Sequence, residues 1–215
     1  MDSQHSPVHR TVAYYNDLSA RYDEDFDAYL RHTHERLLDA MTIYPGNRLL
    51  DVSCGTGLLA AALLQQKPPP ASLWLNDPSP GMLQRCRERV GTPPSVHYSS
   101  QPAGQLDLPA RSVDVAVSLN AFHYYAAQQE ALNRIYHGLA PDGRFYLLDW
   151  NLKGWFRLKN AAIRLLTPEH IQTRSCDAAG QMVRAAGFSI QHTAEWRFRS
   201  WKLFLISAIR DGRSA

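Results

Sequence analysis

Two glycines and two aspartates between residues 51 and 77 form the part of this sequence best suited to binding a ligand. Gly55 and Gly57 follow a short apolar run and precede a segment with helical character. Glycine lets the backbone approach a ligand closely because it carries no Cβ. Asp77 ends the next apolar run, where a carboxylate could accept hydrogen bonds from both hydroxyls of a ribose. The pattern therefore predicts a nucleoside-binding site.

Two classes of nucleoside ligand fit these residues. The run GTGLLA, residues 55–60, matches the dinucleotide fingerprint GxGxxG/A, with Asp77 as its ribose acid, which would indicate a nicotinamide-dependent oxidoreductase. Asp51 favours a different ligand, because a carboxylate inside the preceding strand attracts a cationic group such as an α-ammonium and repels a pyrophosphate. The sequence also lacks a Tyr-x-x-x-Lys pair typical of short-chain dehydrogenases. The oxidoreductase stays the weaker alternative at this point.

Strands and helices alternate around these residues. The predicted strands are residues 48–53, 72–76, 96–98, 113–119 and 144–149, and the predicted helices between them are 58–66, 80–90 and 126–139. Such alternation predicts a parallel sheet with helices on both faces and a ligand at the carboxyl ends of the strands. A further helix is expected over residues 175–186. Two β-like runs, residues 189–197 and 201–209, are close enough to pair antiparallel, which the plain dinucleotide fold does not include.

The rest of the chain divides into a lid and a cap. Residues 1–45 are predicted to form a helical lid, because apolar and aromatic side chains recur at helical spacing over 8–42. Residues 46–215 form the main domain, with a cap insert near 151–172. Tyr14, Tyr15 and Tyr22 of the lid could place a ring face near a cationic ligand. The simpler interpretation is a helix that packs on the sheet.

Composition excludes several classes of protein. The chain has 215 residues, 45% hydrophobic and 20% charged, as expected for one globular domain with a cap. Cys54, Cys86 and Cys176 show no paired spacing, which argues against a zinc site or a disulfide framework, and we predict no metal. We expect no signal peptide, and no apolar stretch reaches the ~20 residues that span a bilayer. A cytoplasmic protein is therefore predicted.

Charge is distributed unevenly along the chain. Residues 1–142 hold 11 basic and 15 acidic side chains, whereas residues 143–215 hold 12 basic and 5 acidic ones. The cap insert combines Trp150, Trp155 and Phe156 with four basic residues: Lys153, Arg157, Lys159 and Arg164. Such an insert could accept an acidic, aromatic or lipid-like substrate, or make peripheral contact with a membrane surface. The plainer interpretation is a cap helix with a solvated face.

Six motifs carry a resemblance to a known family. The following runs occur in this order, and the resemblance extends over about residues 12–209: YYNDLSARYDEDFD, DVSCGTG, LNDPSPGML, LDLPARSVDVAVSLNAFHYY, LAPDGRFYLLD and MVRAAGF. They resemble the class I S-adenosylmethionine-dependent methyltransferases, in particular the small-molecule branch that includes ubiquinone/menaquinone-biosynthesis-type enzymes. The resemblance implies an α/β, Rossmann-like, doubly wound seven-stranded sheet, mostly parallel with a C-terminal antiparallel strand. It also implies S-adenosylmethionine as cofactor and a small-molecule methyl acceptor.

The resemblance assigns roles to individual residues. Asp51 would hold the methionine end of the cofactor, Asp77 its ribose, and Asn120 would lie near the sulfonium. The implied cofactor-binding set is Tyr22, Asp51, Ser53, Gly55, Thr56, Gly57, Asp77, Pro78, Met82, Pro102, Ala103 and Asn120. One position departs from the family, because Pro102 stands where an acidic residue often meets the adenine amino group. The adenine would then be held by packing, by Gln101 or by backbone groups of Pro102 and Ala103.

The chemistry beyond cofactor binding rests on fewer residues. His123 follows the fourth predicted strand and is the candidate general base; the plainer interpretation is a histidine that only shapes the pocket or bonds to the backbone. The predicted substrate contacts are Tyr14, Phe122, Tyr124, Trp150 and Trp155. No nucleic-acid partner is expected, because the segment SLNAF lacks an Asn-Pro-Pro-Tyr type motif. A non-catalytic accessory protein that binds S-adenosylmethionine is the alternative that the same residues allow.

Overall fold

A single seven-stranded sheet organises the chain. The computed structural model describes residues 7–167 and 169–212, so the first six residues of the predicted lid lie outside it. The strand order across the sheet is β3-β2-β1-β4-β5-β7-β6. The helices are α1 Pro7–Leu18, α2 Tyr22–Asp25, α3 Asp27–Ala40, α4 Leu58–Leu64, α5 Pro80–Val90, α6 Gln128–Gly138, α7 Phe156–Leu166 and α8 Cys176–Ala185. The strands are β1 Arg48–Asp51, β2 Ser72–Asn76, β3 Val96–Ser99, β4 Val113–Leu119, β5 Leu139–Trp150, β6 Phe188–Phe198 and β7 Trp201–Arg210.

The strand connections create a crevice at one edge of the sheet. β1 pairs in parallel with β2 on one side and with β4 on the other, so Asp51 lies level with Leu75 and with Val117. The chain winds outward from β1 to β3 and then crosses to β4, which makes the β1–β4 boundary the topological switch point where α/β sheets bind ligands. β7 runs antiparallel between β5 and β6. The predicted fold class is confirmed.

Two apolar layers hold the sheet between its helices. Successive strand residues point to opposite faces, so Leu50 belongs to the layer shared with α6 and α8, while Leu49 belongs to the layer shared with α3, α4 and α5. Leu49 is fully buried and Leu50 nearly so. Helices on both faces leave only the strand ends open to a ligand.

The N-terminal region is helical, and α3 ends at Ala40, two residues before the end of the predicted helical run. It comprises three helices, with breaks at residues 19–21 and at Phe26. These breaks let α1 cross α5, where the Gly81 N–H donates to Asn16 Oδ1 at 2.8 Å. β5 also begins earlier than predicted, at Leu139, because Leu139 pairs with Val113 across a register shift.

Gly57, at the start of α4, packs closely against Cys86 of α5. Its φ is +81°, and a Cβ at this position would lie 2.7 Å from Cys86 Sγ and 3.1 Å from Cys86 Cα. Gly57→Ala therefore adds overpacking to left-handed backbone strain, and we expect a loss of about 2–5 kcal/mol in the free energy of unfolding measured by urea titration.

Gly46→Ala is the matched control for that prediction. Gly46 has a φ of +85°, and nothing lies within 4 Å of an added Cβ. Backbone strain alone should cost about 1–2 kcal/mol there. Equal losses for the two variants would contradict the packing role assigned to Gly57.

Candidate active site

A cavity of about 520 Å³ opens at the carboxyl ends of the parallel strands. Side chains from α1, from the turns after β1, β2 and β4, and from the loop at residues 102–105 line it. A smaller space of about 40 Å³ adjoins it and shares Tyr22, Ser53, Gly55 and Asn120 with its lining. The two spaces form one continuous candidate site at the switch point.

Asp77, just after β2, presents a carboxylate to the main cavity. Its Oδ2 accepts the N–H of Gly55 at 3.0 Å, and its Oδ1 accepts the N–H of Ser79 at 2.8 Å. Burial raises the pKa of Asp77 to about 6, against the opposing effect of these two donors. The carboxylate is therefore fixed in orientation while retaining lone pairs for a ligand in the cavity.

Asp51, the last residue of β1, lines the smaller space. It is 2% exposed, and its Oδ1 accepts the Ser53 N–H at 3.3 Å. Burial, together with the nearby charge of Asp77, raises the pKa of Asp51 to about 7, against the opposing effect of the Ser53 N–H. Among the described residues, neither aspartate forms an ion pair. Two buried carboxylates without a cation favour a positively charged ligand.

The glycine turn leaves room for that ligand. Gly55 lines both spaces at a φ of +51°, and a Cβ added there would meet nothing within 4 Å. A side chain at this position would therefore project into open space that a bound group could fill. Ser53 is held beside the turn by a 2.9 Å hydrogen bond between its Oγ and the hydroxyl of Tyr125.

Asn76 connects the glycine turn to the opposite wall of the cavity. Its fully buried Nδ2 donates to the carbonyl oxygens of Val52 and Gln101, both at 2.9 Å. Its Oδ1 accepts the Gln101 N–H at 3.0 Å. These bonds fix the segment that carries Pro102 and Ala103, which line the cavity together with Pro78 and Met82. The arrangement offers an apolar slot for a flat ring.

The N-terminal segment covers the site. Tyr22 lines both spaces, and burial raises the pKa of its hydroxyl well above the usual range, so the ring is a neutral phenol. Asp23 fastens the segment, because its Oδ1 accepts from Thr56 Oγ1 at 2.6 Å and its Oδ2 accepts from Arg89 at 2.6 Å. Arg89 also donates to the Thr56 carbonyl. The lid is thus tied to the glycine turn and to α5.

Two tyrosines and a glutamate form the wall farther from the glycine turn. The hydroxyls of Tyr15 and Tyr124 lie 2.5 Å apart, and both tyrosines line the cavity. Glu169 Oε1 accepts from Tyr15 at 2.9 Å and from Tyr124 at 2.7 Å. Burial raises the pKa of both phenols, so they stay protonated. The two hydroxyl protons are shared among three contacts, one between the phenols and two to Glu169, so each phenol oxygen keeps lone-pair capacity that a donor in the cavity could use.

Most predicted cofactor residues line the two spaces. Those in the lining are Tyr22, Asp51, Ser53, Gly55, Thr56, Asp77, Pro78, Met82, Pro102, Ala103 and Asn120. Gly57 is not among the lining residues and serves instead as the left-handed N-cap of α4. The side chain of Asn120 is committed to α3, since it accepts from Tyr29 and donates to Thr33, both at 2.8 Å.

Four of the five predicted substrate contacts lie away from the cavity lining, and this placement corrects the expectation. Phe122 is buried in the core edge-on to Tyr125. Trp150 is buried between the rings of His123 and Trp201. Trp155 is 41% exposed at the surface. Tyr14 packs edge-on against Tyr15, which lines the cavity in its place. Tyr124 is the predicted contact that lies in the wall.

His123 is buried behind this wall rather than exposed in it. Its Nδ1 lies 2.5 Å from Asp149 Oδ1, and its ring stacks on Trp150 at 3.8 Å. Its Nε2 is buried with no hydrogen-bond partner among the described residues. The ring is therefore held by Asp149, and a role as general base stays a prediction. Glu169, Asp23 and Asn76 were not predicted, and Glu169 carries no local sequence signal.

Comparison with known proteins supports one family. The profile of the family described as "Methyltransferase domain" matches residues 50–147. The chain is 26% identical over 155 residues to a ubiquinone/menaquinone biosynthesis C-methyltransferase of Methylococcus capsulatus, covering 69% of this chain and 62% of that protein. It is 26% identical over 201 residues to a malonyl-[acyl-carrier protein] O-methyltransferase of Marinomonas, covering 86% and 71%.

The chain spans under two thirds of the length of several such relatives, including 44% of a malonyl-[acyl-carrier protein] O-methyltransferase of Ilyobacter polytropus.

Among solved structures, the fold resembles a Haloferax volcanii methyltransferase solved in complex with the Trm112 activator. The TM-score is 0.79 at 18% identity, over 92% of this chain and 97% of that one. A Burkholderia thailandensis 1,6-didemethyltoxoflavin-N1-methyltransferase solved with S-adenosylhomocysteine has a TM-score of 0.69 at 17% identity, over 98% and 93%.

These findings leave no support for the oxidoreductase alternative, whose ligand would bring a pyrophosphate to the turn between two buried carboxylates. The matched domain, the named relatives and the strand order agree with the motifs of the sequence. Residues 50–147 match the methyltransferase domain, and in motifs and strand order the chain resembles the class I S-adenosylmethionine-dependent methyltransferases, whose cofactor is S-adenosylmethionine.

Proposed function

We propose that the protein transfers a methyl group from S-adenosylmethionine to an uncharged small molecule that donates a hydrogen bond from its acceptor atom. The observation that carries the proposal is the pair of buried, cation-free carboxylates of Asp51 and Asp77 at either side of the Gly55 turn. The buried free thiols of Cys54, Cys86 and Cys176 suit a reducing compartment, and we place the reaction in the cytoplasm.

The residues present fit the cofactor in three places. Asp51, with Ser53 and Gly55, would hold the α-ammonium and carboxylate end, because the buried acid gains from a cationic partner. Asp77 would accept the ribose hydroxyls with the lone pairs that its backbone donors leave free. The slot made by Pro78, Met82, Pro102 and Ala103 would take the adenine. When bound, S-adenosylmethionine supplies a methyl group on a sulfonium, ready for in-line displacement.

The Tyr15–Tyr124–Glu169 wall would select and orient the acceptor. The phenol oxygens present acceptor sites to the cavity, so a hydroxyl or N–H group of the substrate could donate to them. Glu169 would then receive the proton through a phenol as the acceptor atom is methylated. The relatives named as malonyl-[acyl-carrier protein] O-methyltransferases are consistent with an oxygen acceptor.

Asp51→Asn and Asp77→Asn test the cofactor assignment. Each removes a charge-assisted contact, so we expect S-adenosylhomocysteine to bind about 10- to 100-fold more weakly in calorimetry, and methyl transfer to fall in parallel. The readout of transfer is label from [methyl-³H]S-adenosylmethionine incorporated into small molecules of a cell extract. Asp39→Asn, an exposed aspartate on α3, is the matched control.

Two results would count against the proposal. Wild-type affinity in both site variants would mean that the cofactor lies elsewhere. Tight binding of S-adenosylhomocysteine without incorporation of label into any extract would instead support the non-catalytic accessory protein.

The raised pKa values of Asp51 and Asp77 predict pH-dependent binding. Both groups hold a proton in the free protein below about pH 7 and about pH 6, respectively, whereas the α-ammonium group and the ribose hydroxyls of the ligand bind the ionised forms. The affinity for S-adenosylhomocysteine should therefore fall as the pH is lowered from 8 to 5, by up to about tenfold per unit below each pKa. Calorimetry at pH 6.5 in two buffers should show net proton release, and Asp51→Asn should reduce it. Net proton uptake would contradict this electrostatic account.

The Asp23 contacts predict a role in retaining the ligand. Asp23→Ala removes the bonds to Thr56 and Arg89, so the lid should open more often. We expect the dissociation rate of S-adenosylhomocysteine in stopped-flow fluorescence to rise about 3- to 30-fold, with little change in the association rate. Asp27→Ala, which breaks only the exposed pair with Arg31 in α3, is the control. Equal dissociation rates in both variants would show that the contact does not hold the lid.

A further inference from the structure

Helix α7 turns an apolar surface toward solvent. Five large hydrophobic side chains are exposed within the described part of the chain, and four of them fall between residues 155 and 166. Trp155 is 41% exposed, Leu158 78%, and Leu165 and Leu166 83% each. Clustered exposure of this kind marks a contact surface rather than scattered surface hydrophobicity.

The apolar side chains lie on one face of α7. Phe156, Asn160 and Ile163 recur at helical spacing and face the protein, where Phe156 and Asn160 are buried. Leu158 and Leu165 are seven residues apart and share the opposite face, with Ala161 and Ala162 exposed between them. The outer face of α7 is therefore an apolar stripe, where a solvated helix would normally carry polar residues.

Basic residues flank the stripe on both sides. Arg157 and Arg164, also seven residues apart, lie along one edge of α7, and Lys159 lies along the other. The turn between β6 and β7 extends the basic surface, since Lys159 Nζ donates to Ser200 Oγ at 2.7 Å and Arg197 lies 5.6 Å from the Trp155 ring centroid. Residues 153–167 and 196–202 contain seven basic side chains and no acidic one.

Among the described residues, one of these cations forms an ion pair with a nearby acid. Lys153 pairs with Glu195 at 3.1 Å. Glu169, just beyond α7, is engaged by the hydroxyls of Tyr15 and Tyr124. The surface around the stripe therefore keeps a strong positive charge.

We propose that α7 and the β6–β7 turn form a docking face for an anionic lipid bilayer. An apolar stripe between two rows of Lys and Arg matches the layers of such a surface, with leucine and tryptophan at the acyl boundary and the cations at the level of the headgroup phosphates. A nucleic acid fits this face less well, because its phosphates would lie against the exposed leucines, which offer neither charge nor hydrogen bonds. None of the described helices has the length and apolarity to cross a bilayer, so the contact would be peripheral. The proposal does not depend on methyl transfer.

Vesicle flotation with the full chain tests the proposal. Vesicles of phosphatidylcholine with about one third phosphatidylglycerol should bind the protein at least about tenfold more strongly than phosphatidylcholine alone, and salt should weaken the binding. Quenching of tryptophan fluorescence by brominated lipid should decrease in Trp155→Phe, because Trp155 would reach the acyl boundary. Binding that is equal on both vesicles, or absent from anionic ones, overturns the proposal.

Two pairs of variants separate the apolar from the charged contribution. Leu158→Ser/Leu165→Ser should abolish flotation on anionic vesicles, whereas Tyr44→Ser, at an exposed aromatic outside the face, should leave it within about twofold. Arg157→Gln/Arg164→Gln should reduce anionic binding at least about fivefold, and Arg85→Gln/Arg87→Gln, with the same charge change on α5, should not. Unchanged flotation of the leucine variant overturns the proposal. So does a vesicle-free dimer that this variant abolishes, because a second copy would then cover the face.

Discussion

The burial of two carboxylates at the ends of adjacent strands is the constraint on which the rest of the site depends. Register fixes Asp51 level with Val117 and Leu75, and two backbone donors fix Asp77. Burying an ionised acid without a cation costs free energy, which the raised pKa values of both groups express. A cationic ligand relieves that cost, so part of the binding energy is already stored in the free protein.

The N-terminal segment adds to this electrostatic arrangement at the glycine turn. Water in the site would screen the charges of the aspartates and weaken their attraction for a ligand. The lid brings a third carboxylate, Asp23, close to the same turn, where Arg89 and the Thr56 hydroxyl compensate it. The segment can therefore cover the site without adding an unpaired negative charge, and Tyr22 can place a neutral ring over the shared space.

Sequence reasoning predicts a site correctly where its residues are contiguous in the chain. The strand–turn–helix that carries Asp51 and Gly55 is one uninterrupted segment, so its geometry follows from local rules. It fails where tertiary packing decides the direction of a side chain. Phe122, His123 and Tyr124 are consecutive, yet they point to the core, to Asp149 and to the cavity, respectively, because the chain forms a single 3₁₀ turn there.

Sequence reasoning does not find the contact between the two tyrosines and Glu169 for the same reason. Tyr15 and Glu169 are 154 positions apart and meet only because α1 folds across the end of the sheet. Trp150 shows the opposite case, a residue predicted at the site that lies elsewhere. Its position at the end of β5 favours a substrate contact, but its ring packs between those of His123 and Trp201. Residue type and position along the chain do not distinguish these outcomes, since both depend on partners that are distant in sequence.

The chain segment that follows α7 joins three parts of the molecule. Thr167 ends the helix with a bond from its N–H to the Ile163 carbonyl, and its hydroxyl donates to Glu169 Oε2 at 3.0 Å. The N–H of His170 donates to Thr11 Oγ1 on α1 at 3.1 Å. A displacement of α7 would therefore shift Glu169, which accepts the hydrogen bonds of Tyr15 and Tyr124. It would also shift α1, through the bond between His170 and Thr11. These few hydrogen bonds place the residues after α7 between its surface, the tyrosines of the cavity and the first helix of the chain, so the position of Glu169 depends on how all three pack.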